Sequence, residues 1–318
     1  MKISVAICTY NGSKYLAKQL DSILQQDHYL PDEIVVCDDI SNDATNEILR
    51  HYEQLYPSIF KVFINETNLG SNKNFEKAIT LCTGDFLFLS DQDDVWKKDK
   101  IVKTMRVFEQ NSTAEAVFSN ADLIDGADNL IANKTIWNSV FFLENELPKP
   151  IDFFDLIAKN GNVITGATLC MKKDVKAFIF PFPTTIFHDE WIAQLLALRN
   201  TIAYSTEFLI SYRIHENQQV GMKNKDKLNK INRKKRIILG LLPPKTYNDY
   251  RLLLKKSYSK IKTLHFLKEQ KISLPQLETT LIKSVSDYLQ LQQTMKSTYF
   301  FKTLVSQSVD AFLGKRKL

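Results

Sequence analysis

The sequence predicts an α/β fold with a mostly parallel central sheet, followed by a helical C-terminal region. Three observations carry this expectation. Short apolar runs alternate with amphipathic stretches at roughly 30-residue spacing, the rhythm of strand–helix units. Several of those runs stop at carboxylates, as in Leu87-Phe88-Leu89-Ser90-Asp91-Gln92-Asp93-Asp94. Charge is also divided: residues 1–221 carry 20 Lys and Arg against 30 Asp and Glu, and residues 222–318 carry 22 against 6. The net charge of +6 therefore hides −10 and +16, which points to two parts with different partners.

Ile3 to Thr9 reads as a buried first strand. Ser13 is a cap for a helix carrying Tyr15, Leu16, Leu20, Ile23 and Leu24 at 3–4 spacing. Glu33 to Cys37 is a second strand ending in Asp38-Asp39, with Ser41 or Asn42 capping a helix through Ile48, Leu49 and Tyr52. Phe60 to Ile64 is a third strand, and Asn68-Leu69-Gly70 turns into a helix holding Lys73, Phe75 and Ile79. The run into Asp91 is a fourth strand, apolar on both faces as in a parallel sheet. A helix over 98–110 and a fifth strand over 114–119 follow. Between Asp122 and Trp137 the pattern loosens to loop and short strands. Asp152 to Lys159 reads as a helix, Thr168 to Lys172 as a strand, and Phe187-His188-Asp189-Glu190-Trp191 opens a helix through Leu198. Ile202–Tyr204 and Phe208–Ile214 close a domain spanning 1–222. The basic region 223–318 reads as a charged run, Lys223 to Arg236, then helices over 247–270, 275–295 and 298–313.

The composition, 44% apolar and 25% charged, is ordinary for a globular protein. No window approaches about 18 consecutive apolar residues, and Met1-Lys2 leads straight into a strand, so neither a spanning helix nor a signal peptide is expected. Cys8, Cys37, Cys82 and Cys170 lie scattered in or beside apolar runs, which suggests buried free thiols and a cytoplasmic location. The glycines form no GxG spacing. Gly161 to Gly166 has a phosphate-loop interval, but Ala167-Thr168 follows it where Lys-Ser/Thr is required; HExxH and GxSxG are absent. Dinucleotide-dependent dehydrogenases, P-loop NTPases, zincins and α/β-hydrolases are thereby disfavoured.

Ligands of parallel sheets bind beyond the carboxyl ends of the strands. Asp91, Asp93 and Asp94 at such an end repel one another unless a cation neutralises them. Mg²⁺ suits such a site, taking one or two carboxylates, phosphate oxygens and water. A solvated turn with a helix-capping Asp would carry the same residues.

Taken together, Ser4-Val5, Cys8-Thr9-Tyr10-Asn11, Asp38-Asp39-Ile40-Ser41-Asn42-Asp43, Asn68-Leu69-Gly70, Asp91-Gln92-Asp93-Asp94 and a late acidic pair resemble the family 2 inverting glycosyltransferases of GT-A fold, over about residues 1–220. Asp-Gln-Asp-Asp-Val-Trp, the His-Asp before Trp191 and Tyr212-Arg213-Ile214-His215 resemble the bacterial rhamnosyltransferase-like subgroup. The resemblance implies a nucleotide-sugar pocket lined by Thr9, Tyr10 and Asn11, with Asp39, or else Asp38, accepting from N3–H of a uracil or thymine. It implies Asp91 and Gln92 beside the donor, and Asp91 and Asp93, with Asp94 as alternative, holding Mg²⁺ or Mn²⁺. Asp189 is then the general base, with Glu190 the competing acid. Around these stand Asn68, Lys73 reaching a phosphate, Thr165 and Gly166 at the sugar pocket, and His215 as a nitrogen ligand to the metal. Each also has a plain structural reading as strand end, helix cap or exposed charge.

The implied reaction moves a sugar, first L-rhamnose from dTDP-rhamnose, with a UDP-linked donor as alternative, to a surface-polysaccharide or lipid-linked glycan. The rivals are a sugar-nucleotide nucleotidyltransferase and a non-catalytic sugar-nucleotide-binding subunit. The basic region 223–318 beside Ile237-Ile238-Leu239-Gly240-Leu241-Leu242 fits an anionic membrane surface at the inner face of the cell membrane, or else a homo-oligomer contact. No nucleic-acid signature accompanies it.

Overall fold

The computed structural model describes residues 1–216, 218, 233–270, 272, 274–300 and 302–303. It separates into two units, Met1–Phe142 with Asn162–Asn229, and Leu143–Gly161 with Lys230–Leu318.

The first unit is a mixed sheet of nine strands among the described residues. Its parallel part is β1 (Ile3–Thr9), β2 (Glu33–Asp38), β3 (Phe60–Ile64) and β4 (Phe86–Ser90), the apolar runs expected to be buried. Every residue of β2 is buried, because helices cover both faces of such a sheet. Those crossovers are α1 (Leu16–Leu24), α2 (Thr45–Leu55) and α3 (Gly70–Leu81). β5 (Val95–Trp96) leads into α4 (Lys100–Gln110). β6 (Ala116–Asp125) runs on into the stretch expected to hold loop and short strands, and β7 (Leu130–Thr135) returns antiparallel to it. A short α5 (Ile136–Val140) follows. β8 (Leu169–Lys172) runs antiparallel between β4 and β6, and the one-turn α7 (Lys176–Ile179) follows it. β9 (Ile202–Ile214) unites the two expected final strands, parallel to β6 and antiparallel to β5, so the order is β3-β2-β1-β4-β8-β6-β9-β5 with β7 beside β6. Cys37, Cys82 and Cys170 are buried free thiols, and burial pushes them above the ordinary thiol range.

The expected caps are replaced by backbone and loop contacts. Tyr15 and Leu16 donate N–H to the Gly12 carbonyl, and Thr45 N–H donates to the Asp43 carboxylate, so Ser13, Ser41 and Asn42 cap neither helix. Ser41 is used instead to hold Asp38.

The second unit contains α6 (Phe153–Asn160), α9 (Arg233–Ile238), α10 (Tyr247–Glu269) and α11 (Pro275–Thr298). A reciprocal Thr246–Asp249 cap starts α10, and Leu254, Ile261, Leu264 and Leu267 form its buried face. Asp155 of α6 pairs with Lys260 of α10 at 2.7 Å. Of the third expected helix, 298–313, residues 301 and 304–313 lie outside the described residues, as does 223–232 of the charged run. No described helix is long and apolar enough to cross a membrane.

Candidate active site

The parallel register sets Thr9 opposite Asp38 and Ile7 opposite Ser90, so three loops leave one edge of the sheet together. Asp38 is consumed there: its carboxylate accepts from Thr9 Oγ1 at 2.7 Å, Ser41 N at 2.8 Å and Ser41 Oγ at 2.6 Å. Asp39 faces a cavity of about 760 Å³ and is fixed by Asn65 Nδ2, Leu69 N and Gly70 N at 2.7–2.8 Å. Asn68 donates to the Asp39 carbonyl at 3.2 Å, so it braces this turn and does not line the cavity. Asn11 and Ile40 hold left-handed backbone, φ 49° and 62°. That conformation is costly for a β-branched residue and persists because the loops are stapled. Asn11 N donates to Ser41 Oγ, and Asn42 N to Asn11 Oδ1.

Asp91 to Asp94 form the turn between β4 and β5. Gln92 clasps Tyr10, accepting from its N–H at 2.9 Å and donating to its carbonyl at 3.0 Å. A Cβ at Gly12 would stand 2.2 Å from Gln92 Oε1, so glycine makes room for that clasp. Asp93 Oδ2 lies 2.8 Å from His215 Nε2, just past the end of β9. Asp94 accepts from Arg213 N at 2.9 Å and does not line the cavity. Arg213 is fully buried; it donates to the carbonyls of Asp93 and Asp125, pairs with Asp128 at 2.6 Å, and stacks 4.4 Å from the Tyr15 ring.

Burial first, then the charge of Asp93, pushes both Asp91 and Asp94 above the carboxylate range. Lys100, also buried, donates to the Ala167 carbonyl at 2.8 Å and sits 4.3 Å over the Trp96 ring. Burial draws its ammonium down to about 7 against the opposing field of Asp94.

The opposite wall is α8 (His188–Arg199), buried on nearly all sides, with Asp189 and Glu190 in its first turn. Asp189 accepts from Glu190 N at 2.7 Å and Gly166 N at 3.3 Å, and burial raises it to about 6 despite those bonds. Glu190 is raised by burial and by the Asp189 charge; it accepts from Gln194 at 3.1 Å. His188 stacks on Phe75, centroids 4.0 Å apart, and burial lowers its pKa to about 3, so it is a neutral ring beside the acids.

The cavity thus gathers Thr9, Tyr10, Asn11 and Asp39 on one side, Asp91, Gln92, Asp93 and His215 at the acid turn, and Thr165, Gly166 and Asp189 opposite. Lys73 is directed elsewhere, bonding Glu76 at 2.8 Å and the Phe182 carbonyl at 3.1 Å. Lys14 is the lysine that lines the cavity. Asn74 and Phe75, on the buried face of α3, also line it, as does His188; one helix face turned inward gives no local signal of a site. Trp96 and Trp191 are buried packing residues, Trp191 donating to the Ile179 carbonyl.

Among the described residues no group of three or more His, Cys, Asp or Glu side chains is placed so that it could by itself hold a metal ion. The donors present are Asp91, Asp93 and the His215 imidazole, beside excess buried negative charge and an Asp94 oxygen without a partner. Such donors would suit a divalent cation only where a bound phosphate and water supplied most of its ligands.

Residues 4–174 match the glycosyl transferase family 2 model. An uncharacterized glycosyltransferase of Nostoc sp. is 31% identical over 68% of this chain and 65% of its own length. The chain spans between 37% and 65% of the length of the first curated relatives it matches. The dTDP-rhamnosyl transferase RfbG of Shigella flexneri is 29% identical over 68% of this chain and 73% of its own. Among solved structures, S. aureus TarS 1-349 aligns with TM-score 0.52 at 18% identity, over 95% of this chain and 74% of that one, a likeness of fold.

Proposed function

This chain belongs to glycosyl transferase family 2, and we propose that it transfers a sugar from a nucleoside-diphosphate donor to a glycan hydroxyl with inversion, Asp189 acting as general base. The observation that carries the reading is the Asp189 carboxylate, lifted to about 6 by burial and facing the acid turn across one cavity. A carboxylate tuned toward neutrality can take a proton in the transition state. Gly166 N and Glu190 N fix its orientation, so it accepts the acceptor hydroxyl's proton as that oxygen attacks the anomeric carbon. The carbon–oxygen bond to the diphosphate breaks as the new glycosidic bond forms, which inverts the centre.

Asp39, held by three donors, supplies a fixed acceptor for a pyrimidine N3–H, while Tyr10, clasped by Gln92, walls the nucleotide. Asp91 and Asp93, with His215, would hold Mg²⁺ or Mn²⁺. When bound, that ion would offset charge on the departing diphosphate. The RfbG relative, named as a dTDP-rhamnosyl transferase, supports dTDP-L-rhamnose as first donor, and the acceptor we propose is a surface polysaccharide or a lipid-linked glycan. The +16 charge of residues 222–318 supports peripheral association with an anionic membrane.

The test is a thermal-shift series with dTDP, UDP, GDP, CDP and ADP, with and without Mg²⁺ or Mn²⁺. A ligand at 100 times its Kd adds about 2.7 kcal/mol to stability. A metal-dependent shift with dTDP is the expected result. A UDP preference would change the sugar, and no shift with any nucleotide would overturn the reading.

A further inference from the structure

The loop entering α8 carries an aromatic ring on a backbone fixed from both sides. Asn72 of α3 donates to the carbonyl of Ile186 at 2.6 Å and accepts from His188 N at 2.8 Å, so one side chain pins the residues on either side of Phe187. Trp191 N donates to the Phe187 carbonyl, closing the first helical turn. Yet Phe187 is 50% exposed as a residue and lines the cavity. A backbone hydrogen-bonded on both sides that presents an aromatic residue to water next to a base is a prepared contact. Phe187 is the extended residue just before α8, and Glu190, in the first turn of that helix, also lines the cavity.

We infer that Phe187 and Glu190 form the acceptor subsite, and that it takes a neutral pyranose ring bearing free hydroxyls. This rests on the transferase reading above. Direct displacement brings the acceptor oxygen in from the side away from the leaving diphosphate, which is the Asp189 side. Phe187 is the exposed residue there, while His188 and Phe75 behind it are buried. A pyranose offers an apolar C–H face for the ring and hydroxyls on its rim for a carboxylate, which is the pairing that Phe187 and Glu190 present. Two carboxylates in succession, Asp189 and Glu190, repel an anionic acceptor such as a uronate or a sugar phosphate. The subsite therefore selects by charge as well as shape.

Saturation-transfer NMR on the full chain, with the Mg²⁺ complex of whichever of dTDP or UDP it binds, tests this. The probes are methyl α-L-rhamnopyranoside, methyl β-D-glucopyranoside and methyl β-D-glucuronide. The neutral glycosides are expected to receive saturation and the glucuronide at least about fivefold less, in line with the cost of opposing like charges. Phe187→Ala should abolish the glycoside signals while the nucleotide signals persist, which also reports that the variant is folded. Phe187→Trp should retain them, and Glu190→Gln should admit the glucuronide. Glycoside signals unchanged in Phe187→Ala, equal signals from glucuronide and glucoside, or no glycoside signal from a wild type that binds nucleotide would each overturn the subsite alone. A wild type that binds no nucleotide would overturn the transferase reading, and the subsite with it.

Discussion

At the scale of single residues, Asp189 is the group whose environment most directly sets activity. Burial holds its carboxyl near 6, and only the ionised form accepts a proton. The rate of transfer should therefore rise with pH through about 6, level off above it, and fall about tenfold per unit below, as a pH–rate profile would read. Asp189→Asn removes the base without adding bulk, so kcat should fall by about 10²–10⁴ with nucleotide affinity unchanged. The stability consequence has the opposite sign from the usual carboxylate. Because the folded pKa lies above the unfolded 3.8, the folded state binds the proton more tightly, and stability is lost as pH rises from 3.8 to about 6. The Tm of Asp189→Asn at pH 8 should thus be no lower than that of wild type. Undiminished turnover in this variant would return the base assignment to Glu190, or mean that neither acid acts.

At the scale of elements, the acid turn between β4 and β5 is held by β9, more than a hundred residues later. Arg213 takes the Asp93 and Asp125 carbonyls and the Asp128 carboxylate, and its own N–H goes to Asp94. The guanidinium is thus a strut between two turns and a counter-charge to the acids. Asp128 is 44% exposed, so water screens that ion pair, and the main loss on removing Arg213 is the two carbonyls left without their donor, at about 1–3 kcal/mol. Arg213→Met should lower stability by that order in chemical denaturation. In the fraction that remains folded, it should also weaken the Mg²⁺ dependence of nucleotide binding, measured by titration calorimetry. Arg213→Lys keeps the charge and loses the fork, so it should restore stability only in part. Unchanged stability and unchanged metal dependence in Arg213→Met would show that the turn stands without its strut.

At the scale of the molecule, the basic charge of the C-terminal part is partly spent inside its own unit. Arg233 pairs with Asp249, Arg236 with Glu146, and Lys260 with Asp155. The remaining excess is the charge that the proposed membrane contact would use, at about 1 kcal/mol per Lys or Arg near the lipid. The chain should float with vesicles containing phosphatidylglycerol at low salt and be released near 0.5 M NaCl, where screening is nearly complete within about 5 Å. Failure to float at either salt would remove the membrane from the proposal.

The sequence by itself determined the strands of the parallel sheet, the carboxylates at their ends and the acidic first turn of α8. Those are local matters: an apolar run of five to seven residues, the turn after it and a helix start are written in neighbouring positions. What only the tertiary structure decided was which of the similar residues face the cavity. Asp38 and Asp39 are adjacent and chemically identical, yet Thr9 and Ser41 consume the first while the second lines the cavity. Asp94 is taken by Arg213 and Asp93 meets His215, pairings across about 120 positions. Lys73 carries a charge of the right sign but spends it on Glu76 and Phe182, leaving Lys14 at the cavity. No local pattern distinguishes these cases, because a side chain's partner is set by the register of the sheet and by which loops that register brings to one edge.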